Sequence, residues 1–187
     1  MLRIGLFTIL LMSLSACGFK PMYGKMAGQD QNLEQIMANI RVEDIRDADG
    51  RNSRIGQVIR NNMMSRLRAK GAREAVDYSL KITFQVEEHG YGFTEDESVT
   101  AQSLKLVALY QLEDIATGEK VMEDAARALV TFDLVQSDYS NMVARNAALT
   151  RLSEEVTNRI TARIGAFFSA RQREMQKSAQ KDILAGQ

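Results

Sequence analysis

The chain has 187 residues, with 24 Lys and Arg against 24 Asp and Glu, one His, one Cys and no Trp. A balanced charge argues against a nucleic-acid binder, which needs a strongly basic surface. One histidine and one cysteine exclude a Cys/His metal cluster and an internal disulfide.

The first element in the chain is a leader. Arg3 precedes an apolar run, Ile4 to Met12, and the small residues of Leu14-Ser15-Ala16-Cys17 follow. A positive end, a short apolar core and small residues before a cut make a secretory signal. The run is too short to span a bilayer, which takes about 20 residues. Leu-Ser-Ala-Cys at that place resembles the lipobox of bacterial lipoproteins. The resemblance implies cleavage before Cys17, a diacylglycerol thioether on its sulfur and a third acyl chain on the new amine. The other reading is an ordinary signal cut nearby, leaving Cys17 as a free thiol open to intermolecular pairing. Two or three acyl chains hold a protein firmly on a membrane, because each buried CH₂ contributes about 0.8 kcal/mol. Under the sorting rule of enteric-type bacteria, Gly18 after the cysteine resembles an outer-membrane address. Losing residues 1–16 removes only Arg3 among the charges and leaves a chain of single-domain size.

Residues 17–38 read as an acylated tether, kept irregular by Gly18, Pro21, Gly24 and Gly28. A single domain is expected over 39–170. Asn39 to Ile45 reads as the first strand, and Arg46 to Asn52 as a loop dense in turn formers. Ser53 stands where a helix N-cap is wanted. Ile55, Val58, Ile59, Met63 and Leu67 follow at three- and four-residue steps, and Gly71 closes that helix. Arg51, Arg54, Arg60, Arg66, Arg68, Lys70 and Arg73 run with no acid from Gly50 to Arg73. They form either a solvated face or a surface for phosphate-bearing lipid or an acidic partner.

Tyr78 to Val86 alternates cleanly and predicts a strand with one buried face. Glu87 to Glu97 reads as a glycine-containing acidic loop carrying His89, Tyr91 and Phe93. Val99 to Leu112 predicts a third strand, with Leu104, Leu106, Ala108, Tyr110 and Leu112 on one face. Lys105, Val107, Leu109 and Gln111, on the other face, are only partly polar. Asp114 to Glu119 is a hairpin connection with Gly118 available for positive φ. Val121 to Val135 predicts a fourth strand, apolar on both faces near its end. That pattern points to a central place in the sheet or to a face covered from outside. Ser137 or Asp138 caps a second helix, with Leu149, Leu152, Val156, Ile160, Ile164 and Phe167 or Phe168 as its stripe. Residues 171–187 read as a frayed polar tail. The predicted fold is α+β, a mixed four-stranded sheet with two helices packed on it, in the order β-α-β-β-β-α.

No phosphate-binding glycine loop, Gly-x-Ser-x-Gly, Cys–His pair or His–Glu metal motif occurs. A non-enzyme without a cofactor is therefore expected, the acyl chains on Cys17 aside.

The element order behind a lipobox resembles the lipopolysaccharide-assembly lipoprotein family, LptE. The residues that carry the likeness are Cys17-Gly18-Phe19-Lys20-Pro21-Met22-Tyr23-Gly24, Tyr110 to Asp114 with Thr117-Gly118, Ser137-Asp138-Tyr139-Ser140, and Ala144-Arg145-Asn146-Ala147-Ala148. The resemblance implies an outer-membrane lipoprotein that plugs and helps assemble an LptD-like β-barrel and assists lipopolysaccharide transport and insertion into the outer leaflet. Its partners would be that barrel and lipopolysaccharide, with no nucleic acid. Its domain would lie on the periplasmic side or inside the barrel lumen. Arg145, where the family often carries a basic residue, and then Lys105 and Arg127, become candidate contacts for lipopolysaccharide phosphates, which suit the arginine fork. The alternative is a periplasm-facing envelope adaptor or small-ligand carrier unrelated to lipopolysaccharide.

Overall fold

Three long strands and one long helix dominate the computed structural model, which describes residues 30–67, 76–93 and 99–185. The chain separates into Met1–Asn32 and a larger unit, Leu33–Gln187; the architecture below is that of the second. Cys17 and the tether as far as residue 29 lie outside the described residues.

Helix α1 spans Asp30–Ala38. The sequence reading places these residues in the tether, and the structure corrects it. Leu33, Ile36 and Met37 sit at helical spacing among good helix formers, and Met37 is buried in the core. The first strand is likewise split. Strand β1 (Ile40–Val42) and strand β2 (Arg46–Asp47) both run parallel to β3 (Tyr78–Phe93), pairing at Tyr78–Leu80 and at Thr83–Phe84. Between them Ile45 turns into the core instead of continuing the ladder. The expected loop after Ile45 thus begins with two strand residues. Asp47 then shapes the turn, its Oδ1 accepting from the N–H groups of Asp49 and Arg51 at 3.1 and 2.8 Å. Gly50 supplies the positive φ there.

Helix α2 (Arg54–Leu67) begins as expected, with the Gly56 N–H donating to Ser53 Oγ at 3.3 Å. Ile59, Met63 and Leu67 form its buried stripe. Its expected stop at Gly71 is outside the described residues.

Strand β3 continues through Glu87 to Phe93, so the first part of the expected acidic loop is strand. The reason is pairing: β4 (Val99–Asp114) runs antiparallel beside it, with Glu87 opposite Lys105 and Glu88 opposite Leu104. Cross-strand bonds outweigh the weak strand propensity of that stretch. The tip, residues 94–98, lies outside the described residues. The expected hairpin follows, closed by Asp114 N–H to Glu119 O at 2.9 Å and with Gly118 at φ 69°. Among the described residues strand β5 (Lys120–Asp133) pairs only with β4, antiparallel, so the sheet order is β1-β3-β4-β5, with β2 also on β3. β5 is an edge strand among the described residues, which excludes a central place and leaves the other reading of its apolar composition, a face covered from outside.

Helix α3 spans Asp138–Ala185. Ser137 Oγ caps it through the Ser140 N–H, and Asn141 clamps Val135 by accepting from its N–H and donating to its carbonyl. Leu149, Leu152, Val156, Ile160, Ile164 and Phe168 are buried as expected. Ser153, Thr157 and Thr161 are buried as well, and each donates to the carbonyl four residues back, at 2.7–2.8 Å. The expected frayed tail is helical as far as Ala185. Residues 171–185 are rich in Gln, Lys, Arg, Glu and Ala, which favour helix, and the next stop signal is Gly186.

The order β-α-β-β-β-α thus stands with a helix added in front and the first strand divided. The helices cover one sheet face. Leu80, Ile82 and Phe84 of β3, the even-numbered residues of β4 from Leu104 to Leu112, and Ala126 and Ala128 of β5 meet α2 and α3 there. Among the described residues no helix covers the other face.

Candidate functional site

The open face is set by strand alternation. Residues of odd number in the middle of β3 and β4, and in β5 from Glu123 onward, point away from the helices; before Glu123 a register shift at Leu112/Glu113 turns Val121 towards the core. Pairing registers place Glu87 opposite Lys105, Val107 opposite Gln85 and Arg127, Leu109 opposite Thr83 and Ala125, and Lys105 opposite Leu129. Leu109 is 58% exposed and Leu129 66% exposed. With Val107 between them, these leucines make an apolar diagonal across two long strands.

Polar pairs border that diagonal. Lys105 Nζ lies 3.0 Å from Glu87 Oε2, and Lys81 Nζ 2.9 Å from Glu113 Oε2. The bond to Glu113 raises the Lys81 pKa above its ordinary value. Gln111 donates to Glu123 at 2.8 Å and Lys120 pairs with the same carboxylate at 2.8 Å, which holds the Glu123 pKa low. The face therefore carries an apolar diagonal running from β4 to the edge strand β5, bordered by ion pairs.

The three candidate cations do not come together. Lys105 and Arg127 share the open face as diagonal neighbours, since Lys105 faces Leu129 and Val107 faces Arg127. Arg145 belongs to α3, on the other side of the sheet, where its Nη2 lies 2.9 Å from Glu88 Oε2. Lys105 is already matched by Glu87, and Arg127 has no ion-pair partner among the described residues. Cys17, the lipidation candidate, lies outside them.

The basic run around α2 is also partly neutralised. Arg51 reaches Asp47 at 3.3 Å and pairs with Asp49, and Arg60 Nε stands 3.7 Å from Asp44 Oδ1. The acids that do this precede the run in sequence, so a scan from Gly50 onward misses them. His89 and Tyr91, read as loop residues, stand exposed near the end of the β3–β4 ribbon. Sequence reasoning missed a second apolar patch, Val135, Tyr139, Met142 and Val143, exposed around the start of α3. Its signal was available in the three- and four-residue spacing of Tyr139, Met142 and Val143 ahead of the core stripe.

Among the described residues no group of three His, Cys, Asp or Glu side chains could hold a metal ion, and no helix is long and apolar enough to cross a membrane.

No family model matches this chain, and no curated protein matches it in sequence. Solved structures do match in fold. A candidate lipoprotein of Caulobacter crescentus CB15 aligns with a TM-score of 0.56 at 17% identity, covering 74% of this chain and 97% of that one. Rare lipoprotein B of Shewanella oneidensis gives 0.52 at 8% identity, over 71% and 99%. An uncharacterized lipoprotein B of Nitrosomonas europaea gives 0.51 at 16% identity, over 79% and 93%. The chain shares the fold of these bacterial lipoproteins.

Proposed function

We propose that this protein is an outer-membrane lipoprotein, acylated on Cys17, that plugs and helps assemble an LptD-like β-barrel and assists lipopolysaccharide insertion into the outer leaflet. The observation that carries the reading is a conjunction. A Leu14-Ser15-Ala16-Cys17 signal precedes a domain whose fold recurs in bacterial lipoproteins, rare lipoprotein B among them.

The open sheet face supports the plug role. Leu109 and Leu129, exposed on that face, suit a partner wall better than bulk water. Rows of ion pairs around them give such a contact a register without making it uniformly greasy. Lys105 and Arg127 lie where a phosphate held between this face and a wall would meet a guanidinium and an ammonium. Arg145 would meet lipid only after giving up Glu88, so its first role in this reading is to fasten α3 to the β3–β4 ribbon.

The test is purification of the tagged, membrane-extracted protein, with mass spectrometry of its partners and of its N-terminal peptide. A triacylated Cys17 and one barrel protein in near-equal amount are expected. An acylated Cys17 without a barrel removes the plug and leaves the envelope adaptor or carrier. An unmodified Cys17 removes the anchor itself.

A further inference from the structure

The free edge of β5 is closed by side chains of α3. A 14-residue edge strand offers outward backbone groups that another strand can use. Three such groups, on Ala125 and Arg127, are occupied. Arg163 Nη1 donates to the Ala125 carbonyl at 2.9 Å, and Arg159 Nη1 donates to the Arg127 carbonyl. The Ala125 N–H donates to Asp124 Oδ1 at 2.7 Å. Arg163 also holds Asp124 Oδ2 at 2.6 Å, so carboxylate and guanidinium brace each other across the edge. Ala125 and Arg127 lie two residues apart, the spacing at which an antiparallel strand would bond to this edge.

The same stretch is self-complementary. Glu123 and Arg127 lie on the open face, two residues either side of Ala125. If a second copy of β5 is laid antiparallel on the first about a two-fold through Ala125, each Glu123 falls opposite the Arg127 of the other copy. The short side chain of Ala125 sits on the axis. An isologous contact of this kind brings both charge pairs together at once.

We infer that Arg159 and Arg163 form a latch that closes the β5 edge against a second copy of this chain, and that releasing the latch yields an antiparallel β5–β5 dimer centred on Ala125. The latch competes for the backbone groups the dimer needs, so the two states exclude each other. The inference rests on the edge geometry alone and holds whether or not the protein is a barrel plug.

The experiment uses the full chain extracted in detergent. Its mass is measured by sedimentation across micromolar concentrations, for the parent chain and for Arg159→Ala/Arg163→Ala. The variant is expected to dimerise about tenfold or more tightly than the parent, as two carbonyl bonds per copy no longer oppose pairing. A native circular-dichroism spectrum with an unchanged monomer mass overturns the latch. Ala125→Cys tests the register: two-fold pairing sets these residues about 5.5 Å apart, within disulfide reach. It should cross-link readily in the latch-free chain, while Ala126→Cys should not, with the parent run alongside to account for Cys17. Equal cross-linking at both positions overturns the proposed register. Glu123→Arg and Arg127→Glu should each weaken the dimer and together restore it; no restoration also counts against the pairing. Should the double variant lose its fold, Arg159→Ala alone leaves the Asp124–Arg163 brace in place. It then carries the same measurements, and an unchanged monomer mass overturns the latch as before.

Discussion

Single residues here act mainly through close approach and charge. Gly56 lies where α2 passes the Ile45 backbone, and a Cβ built on it would stand 2.5 Å from the Ile45 carbonyl oxygen. That oxygen is backbone in a packed segment and cannot move aside. Gly56→Ala is expected to lower stability by about 1–3 kcal/mol in urea unfolding, although alanine is the better helix former. An unchanged midpoint would mean that α2 shifts freely against Ile45. Asp124 gives a pH signature. The Ala125 N–H bonded to its carboxylate holds its pKa below the usual range; partial burial opposes this, and the Arg163 charge adds to the lowering. A lowered folded pKa contributes stability above the unfolded value of about 3.9, and that contribution is lost as pH falls through the folded value. Asp124→Asn should therefore melt lower at neutral pH and lose less on acidification below about pH 4. Parallel melting curves against pH for the two proteins would remove Asp124 as a source of acid sensitivity.

At the scale of elements, the last part of α3 stands apart. Among the residues whose burial is described, the last buried apolar one is Phe168, which packs on Tyr78 with ring centroids 5.0 Å apart. Residues 171–178 are exposed except Gln172, which is half-buried. Removing residues 171–187 should change stability by less than about 0.5 kcal/mol while reducing the far-ultraviolet helix signal. Ile160→Ala, deep in the same helix, should lower it by about 2–5 kcal/mol. Equal losses would mean that the extension packs on something in the native protein. The divided first strand follows the same logic of burial. Ile40, Val42 and Ile45 all reach the core, but the spacing of Ile45 breaks strict alternation, and the ladder breaks with it.

For the whole molecule, the decisive feature is a sheet with helices on one side and an apolar diagonal on the other. Leu109→Ser and Leu129→Ser remove exposed side chains, so each should leave the melting temperature nearly unchanged. Together they should reduce barrel co-purification severalfold if this face meets the barrel wall. Full recovery of the barrel with both substitutions in place would move the contact elsewhere, with the patch around Tyr139, Met142 and Val143 next in line.

Much of this protein is determined locally. The alternation in Tyr78–Val86 and in the even-numbered half of Leu104–Leu112, the Ser53 and Ser137 caps, and the stripe from Leu149 to Phe168 are all written in short-range patterns. Period-two and period-3.6 burial need no knowledge of the partner element. Only the tertiary structure decided that β5 lies at an edge, because its apolar residues look alike whether they face a neighbouring strand, a helix or an empty face. It also decided that Lys105 and Arg127 share a surface while Arg145 faces the other way, since sheet register and helix placement are long-range. The arginine contacts on the β5 carbonyls belong to the same class. Nothing in the spacing of Arg159 and Arg163 shows that a strand edge more than thirty residues earlier lies within their reach. Packing α3 along the sheet margin puts it there.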